Sequence, residues 1–315
     1  MFRSLILALV AAFSLFTALP AARAEDDLTN SKVRVADENG DGGYRVTKDK
    51  NFKAVRDRVM KRKALEEFAR FLSPLKLSNT LWLYTSDCDG VVNAFYNPDE
   101  RSIKICYGFV EYIEKTADRL IKMAKADPKQ FPAGFGREEF ITGAFIGVVL
   151  HETGHAVFDL LDVPVFGREE DAADQMAVFL ALQFDKDVAR SLIKAISYMW
   201  AAGSNPPTEA PSEAEVEGEK DANKRCGRDP FCAYADEHGT DYQRMFNSVC
   251  VAYGADPKAF KDFATAGWVP KNRDCAGEYQ KLRMAFGKTI YPFLDPTLLK
   301  KVQSIKWLRP NEIRK

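Results

Sequence analysis

His151-Glu152-Thr153-Gly154-His155 stands inside the longest apolar stretch of the chain, Arg137 to Asp162, and the architecture turns on it. That stretch is too long for a buried strand, so it predicts one long core helix. On a helix, positions i and i+4 share a face, and two imidazoles placed there can reach one ion. Glu152, turned by about 100° from His151, puts a carboxylate beside that ion rather than on it. Two of the three histidines in the chain stand in this one turn. Packing them in a helix core with no partner would cost several kcal/mol in polar desolvation. The neighbouring Phe145, Ile146, Val149 and Leu150 argue for burial, so the pattern predicts a metal site.

A catalytic zinc needs a third protein ligand and an open position. Downstream, Arg168-Glu169-Glu170-Asp171-Ala172-Ala173-Asp174 opens the next expected helix, Arg168 to Phe184, and Pro164 and Gly167 let the chain turn back to the first. Spacing leaves the third ligand open among Glu169, Glu170, Asp171 and Asp174. Glu170 and Asp174 share a face, which lets one bind the ion while the other orients a histidine through its free ring nitrogen. The helix dipole alone accounts for Glu169 and Asp171. Small Ala172 and Ala173 suit close helix packing.

Upstream, Leu81 to Tyr84, Val91 to Tyr96 and Arg101 to Tyr107 read as strands. Asn97-Pro98-Asp99-Glu100 joins the last two as a hairpin. Phe52 to Phe71 reads as one amphipathic helix, and Gly108 to Ala126 and Val188 to Ala202 as two more. Tyr234 to Tyr253, Pro257 to Thr265 and Tyr279 to Phe286 give helices near the C-terminus. Gly203 to Arg225, with Asn-Pro-Pro, Pro211 and few large apolar residues, has the composition of a mobile linker. Asp37 to Gly42 matches the first half of a calcium loop, but its twelfth position is Lys48, so a plain turn is expected.

The N-terminus carries Arg3, an apolar run from Leu5 to Leu19, and Ala22-Arg23-Ala24 before acidic residues, the layout of a secretory signal peptide. This run is too short for a stable membrane span. Export to the periplasm or the medium is the expected localisation. Cys88, Cys106, Cys226, Cys232, Cys250 and Cys275 then predict three disulfides, and proximity favours pairing them in that order. No Cys-x-x-Cys pair supports a thiolate zinc cluster. The chain is 46% hydrophobic with 45 basic and 45 acidic residues, and without Arg3 and Arg23 the formal charge becomes −2. Nucleic acid is excluded as a main partner, because gripping phosphates takes a basic excess.

The motif His151 to His155 followed by Glu170-x-x-x-Asp174 resembles the gluzincin metallopeptidases. Asn93-Ala94-Phe95-Tyr96 is similar to the Asn-Ala-Phe stretch that such enzymes place on the strand bordering the cleft. More closely, Trp82 to Phe286, with Gly167 to Gln175 and Asp236-Glu237-His238 to Tyr253, resembles a bacterial metallopeptidase family defined only as a domain of unknown function. The resemblance implies Zn²⁺ held by His151, His155 and Glu170, with Asp174 behind a histidine and Glu152 as general base. It implies that His238 or Tyr242 stabilises the oxyanion and that Asn93 to Tyr96 binds an extended peptide or protein substrate. The expected fold is α+β and zincin-like: a small sheet with an edge hairpin on the active-site helix, then a helical, disulfide-stapled C-terminal segment. The expected organisation is a signal peptide (1–24), a flexible segment (25–50), a catalytic region (51–202), a linker (203–225) and a helical C-terminal region (226–315). The alternative is an inactive zinc-binding or partner-binding module on the same fold. Sequence leaves the oligomeric state open.

Overall fold

Leu81, Leu83 and Thr85 alternate with Trp82 and Tyr84, and the first three are fully buried while Trp82 is exposed. This period of two builds the central strand of a small sheet with one face on the core. The computed structural model describes residues 31–37, 40–126, 136–203 and 237–305. Four strands, β1 (Val33–Val35), β2 (Leu81–Ser86), β3 (Ala94–Asn97) and β4 (Ser102–Cys106), lie in the order β1-β2-β4-β3. β1 and β4 run parallel to β2, while β3 runs antiparallel to β4 with Tyr96 opposite Ile103. The expected hairpin is therefore present, and β3 is an edge of the sheet.

The helices that follow are α1 (Lys50–Lys61), α2 (Ala64–Leu72), α3 (Tyr107–Ala126), α4 (Arg137–Leu160), α5 (Glu169–Ala181) and α6 (Lys186–Gly203), and α2, α3 and α4 pack on the strands. After them come α7 (Asp241–Ala255), α8 (Lys261–Thr265), α9 (Cys275–Thr289) and α10 (Pro296–Ser304). The architecture is thus α+β, mostly helical with a four-stranded sheet.

α4 is apolar on every side because α3, α5, α6, β3 and β4 all pack on it. It is long and apolar enough to cross a membrane, yet 78% of its most apolar window is buried inside the protein. Glycines allow that crowding. A Cβ on Gly143 would meet Ala195, one on Gly147 would meet Ile196, and one on Gly154 would meet Ala173. The small residues of α5 do serve close packing, and they bring its first turn onto the His151 to His155 turn.

Several expectations need correction. Residues 25–50 were expected to be flexible; 25–30 and 38–39 lie outside the described residues, and in the rest β1 pairs with β2, and Tyr44 is buried with its hydroxyl bonded to Glu66 Oε2. A three-residue strand paired to one far along the chain leaves too short a pattern to read. The helix expected over Phe52 to Phe71 is two, broken at Lys63 (φ +52°). Val55 and Val59 of α1 and Leu65, Phe68 and Leu72 of α2 are out of phase for one straight helix, so the chain bends to bury both sets. The helix expected from Tyr234 starts at Asp241, where Thr240 and Gln243 form a reciprocal cap. The strand expected from Val91 starts at Ala94, after a 3-10 turn at Cys88–Gly90. Asp37 and Asp41 accept backbone N–H bonds from Gly42 and Gly43, as the turn reading required.

Cys88–Cys106 and Cys250–Cys275 stand at disulfide distance, with Cα separations of 5.5 and 4.9 Å. The first ties the approach to β3 to the end of β4, and the second joins α7 to α9. The signal peptide (1–24), residues 204–225 of the linker and the Cys226–Cys232 pair lie outside the described residues.

Candidate metal centre

One helical turn of α4 supplies His151 and His155, and the first turn of α5 supplies Glu170. The residues just before α7 supply His238, placed by the Thr240 cap. Their donor atoms converge. His151 Nε2 lies 3.0 Å from Glu170 Oε2, His155 Nε2 lies 3.2 Å from His151 Nε2, and His155 Nε2 lies 3.5 Å from the same glutamate oxygen. His238 Nε2 lies 2.9 Å from that oxygen. Ligand bonds of about 2.0–2.1 Å in a tetrahedral site imply edges of roughly 3.3 Å, so these separations suit a shared small ion. His151, Glu170 and His238 offer ligand atoms all within 4.8 Å of one another and can hold a metal.

The opposite ring nitrogens are held by carboxylates. His151 Nδ1 is 2.9 Å from Asp174 Oδ1, and His155 Nδ1 is 2.7 Å from Glu169 Oε1. Such bonds fix the tautomer and aim both Nε2 atoms at the same point beside Glu170 Oε2. Asp174 is fixed in turn by Arg244 of α7, whose Nε and Nη2 lie 2.6 and 2.7 Å from its two oxygens. The Arg244 guanidinium lies 3.6 Å over the Trp200 ring. Each acid of the α5 turn therefore has its own place: Glu170 faces the donors, Glu169 and Asp174 stand behind one histidine each, and Asp171 pairs with Arg168.

Glu152 is buried, and the Tyr96 N–H donates to its Oε2 at 2.8 Å. Burial pushes its carboxyl above the ordinary range, against the pull of the nearby imidazoles and of that N–H. Burial alone would lower His151, but its bonds to Asp174 and Glu170 outweigh this and pull its pKa up to about 9. Glu170 is held far below the usual carboxylate range: burial opposes this, and bonds to His151, His155 and His238 overcome it. The set is an anion locked among imidazoles that a cation can replace as partner.

A cavity of about 720 Å³ joins these groups to Asn93, Ala94, Phe95 and Tyr96 of the edge strand. Phe109, Val148, Met199 and Trp200 add apolar wall, and Asp159, Asp241 and Arg244 add charge. Tyr242 is not brought in. It is 46% exposed and lies off the face of α7 that carries buried Arg244, Met245 and Ser248. A step of one residue turns a helical side chain by about 100°, which takes Tyr242 away from the cleft.

Arg244 and Asp159 went unread in the sequence, and Glu169 was read as a candidate third ligand rather than as the partner of His155. A lone arginine on an otherwise buried helical face was the signal for the first. Glu169 was masked by the dipole explanation that suits any acidic first turn. Asp159 continues the i, i+4 series of His151 and His155, which marks it as facing the same cleft.

The model of a family described as "Putative metallopeptidase" (DUF4344) matches residues 44–289, which include every group in this cavity. No curated protein and no solved structure matches the chain.

Proposed function

Since the chain belongs to this metallopeptidase family, whose model covers most of its length, we propose that it is an exported zinc-dependent endopeptidase of the zincin type. His151, His155 and Glu170 hold the ion in this reading, and Glu152 is the general base. The observation that carries it is the convergence of three donors, two of them imidazoles whose remaining ring nitrogens are each tied to a carboxylate, with a buried glutamate alongside. An imidazole and carboxylate donor set suits Zn²⁺. Export rests on the residues of 1–24 and on the cysteine pairs, which persist in oxidising compartments.

When bound, zinc supplies Lewis acidity, polarising the scissile carbonyl and lowering the pKa of a water. Glu152 takes the proton of the attacking water on its free oxygen and returns it to the leaving amine. Its raised affinity for protons, set by burial, matches that two-way duty. Asp174 and Glu169 keep the imidazoles oriented. The outward groups of β3 accept an extended peptide as an added strand. His238 faces the cavity and donates to the oxyanion as charge develops.

The test is metal content beside peptidase activity on a broad peptide library. We expect His155→Ala to lose zinc, and Glu152→Gln to keep zinc and lose turnover. Equal zinc in wild type and His155→Ala would sink the metal site, while identical null profiles for wild type and Glu152→Gln would leave a binding module. His238 has a second reading as a metal ligand, favoured by its place beside His151 and Glu170. His238→Ala that keeps zinc supports the oxyanion role, and zinc loss supports the ligand role.

A further inference from the structure

Tyr96 touches the active-site helix at two points. Its main-chain N–H donates to Glu152 Oε2 at 2.8 Å, and its phenol donates to Asp159 Oδ2 at 2.5 Å. Glu152 and Asp159 stand about two turns apart on nearly one line of α4, so a single strand residue spans roughly 10 Å of that helix. The ladder explains the first contact. The Asn93 carbonyl accepts from the Cys106 N–H toward β4, so the alternate residues Ala94 and Tyr96 point their main-chain groups away from β4. Among the described residues, the Tyr96 amide is the one hydrogen-bond donor recorded for the Glu152 carboxylate. The edge strand would normally be free to slide or fray, since no strand among the described residues pairs with its outer side.

We propose that Tyr96 is a positioning residue: its phenol, anchored on Asp159, sets the height of the edge strand along α4, and its amide thereby holds one oxygen of Glu152 and leaves the other to take the proton. The consequence reaches the substrate. An added strand finds the Tyr96 N–H already engaged and bonds to the Ala94 pair and the Tyr96 carbonyl instead. The substrate carbonyl at the Tyr96 register is then left without a strand partner, beside Glu152. The bond that is cut and the strand register are fixed by one residue. This inference rests on the peptidase reading for its catalytic consequence, and on geometry alone for the clamp.

Two measurements test it. In zinc-loaded protein, Tyr96→Phe removes only the hydroxyl, and kcat should fall about tenfold with KM and zinc content unchanged, as expected for a misplaced catalytic group. Asp159→Ala should match it, the double variant should be no worse than either, and Asp159→Asn, which keeps an acceptor oxygen, should retain more kcat than Asp159→Ala. In metal-stripped protein, hydrogen exchange of the 93–97 segment should quicken about tenfold in Tyr96→Phe while exchange in β2 stays as in wild type. Unchanged exchange in 93–97 overturns the clamp, as does a kcat loss that comes with equal loss of zinc. A wild type that cleaves nothing overturns the peptidase reading, and the exchange experiment then decides the clamp by itself.

Discussion

Asp174 shows what one buried carboxylate does at this site. It is 5% exposed, binds His151 on one side and Arg244 on the other, and its pKa is lowered: burial opposes ionisation, and Arg244 and His151 overcome it. Removing Arg244 leaves that charge buried with one partner fewer, so Arg244→Ala should cost about 3 kcal/mol in urea denaturation. Asp174→Asn keeps the shape and weakens the hold on His151, so zinc affinity should fall roughly ten- to a hundredfold in chelator competition. Tyr242→Phe is the contrasting substitution. Its side chain is outside the cleft, and kcat/KM should stay within about twofold of wild type, since surface changes seldom reach the core. A tenfold loss there would restore Tyr242 to the site.

At the scale of elements, the site depends on how closely α5 approaches α4. Gly154 lies within the histidine motif, and a Cβ there would stand 2.9 Å from Ala173 Cα, too near for backbone to tolerate. Gly154→Val should therefore part the two helices, destabilise the fold by about 2 kcal/mol, and weaken zinc binding by moving Glu170 away from the histidines. Restored affinity is not expected from compensating changes on the exposed face of α5. If calorimetry found zinc binding unaltered in a folded Gly154→Val protein, the packing argument would fail. The edge hairpin has its own brace in Cys88–Cys106, which joins its approach to the end of β4 and so limits where β3 can lie against α4.

At the scale of the whole molecule, the same cluster couples folding to protons, and in the proposed reading it couples both to metal. The His151 pKa is raised from 6.5 to about 9, so the protonated form is favoured by folding. That contribution is fully present below about pH 6.5 and is lost as pH rises through about 9. Metal requires the neutral imidazole, so metal and proton compete. The melting temperature of metal-stripped protein should fall between pH 6.5 and 9, while apparent zinc affinity rises over the same window. A flat affinity profile there would refute the coupling. How far all this was legible follows from the range of the forces concerned. His151, Glu152 and His155 lie within two turns of one helix, and the hairpin lies within one turn of chain, so local periodicity specified them. The sequence by itself therefore determined an α+β chain with a metal-binding motif on its longest helix, an edge hairpin, and a shortlist of acids for the third ligand. Only the tertiary structure decided which partner each acid meets, that Tyr242 faces away, that Arg244 backs Asp174, and that Tyr96 binds Glu152 and Asp159 together. Those facts depend on the close approach of α4, α5, α7 and β3, elements far apart along the chain, and a side chain's partner across such a gap is fixed by packing rather than by its neighbours in sequence.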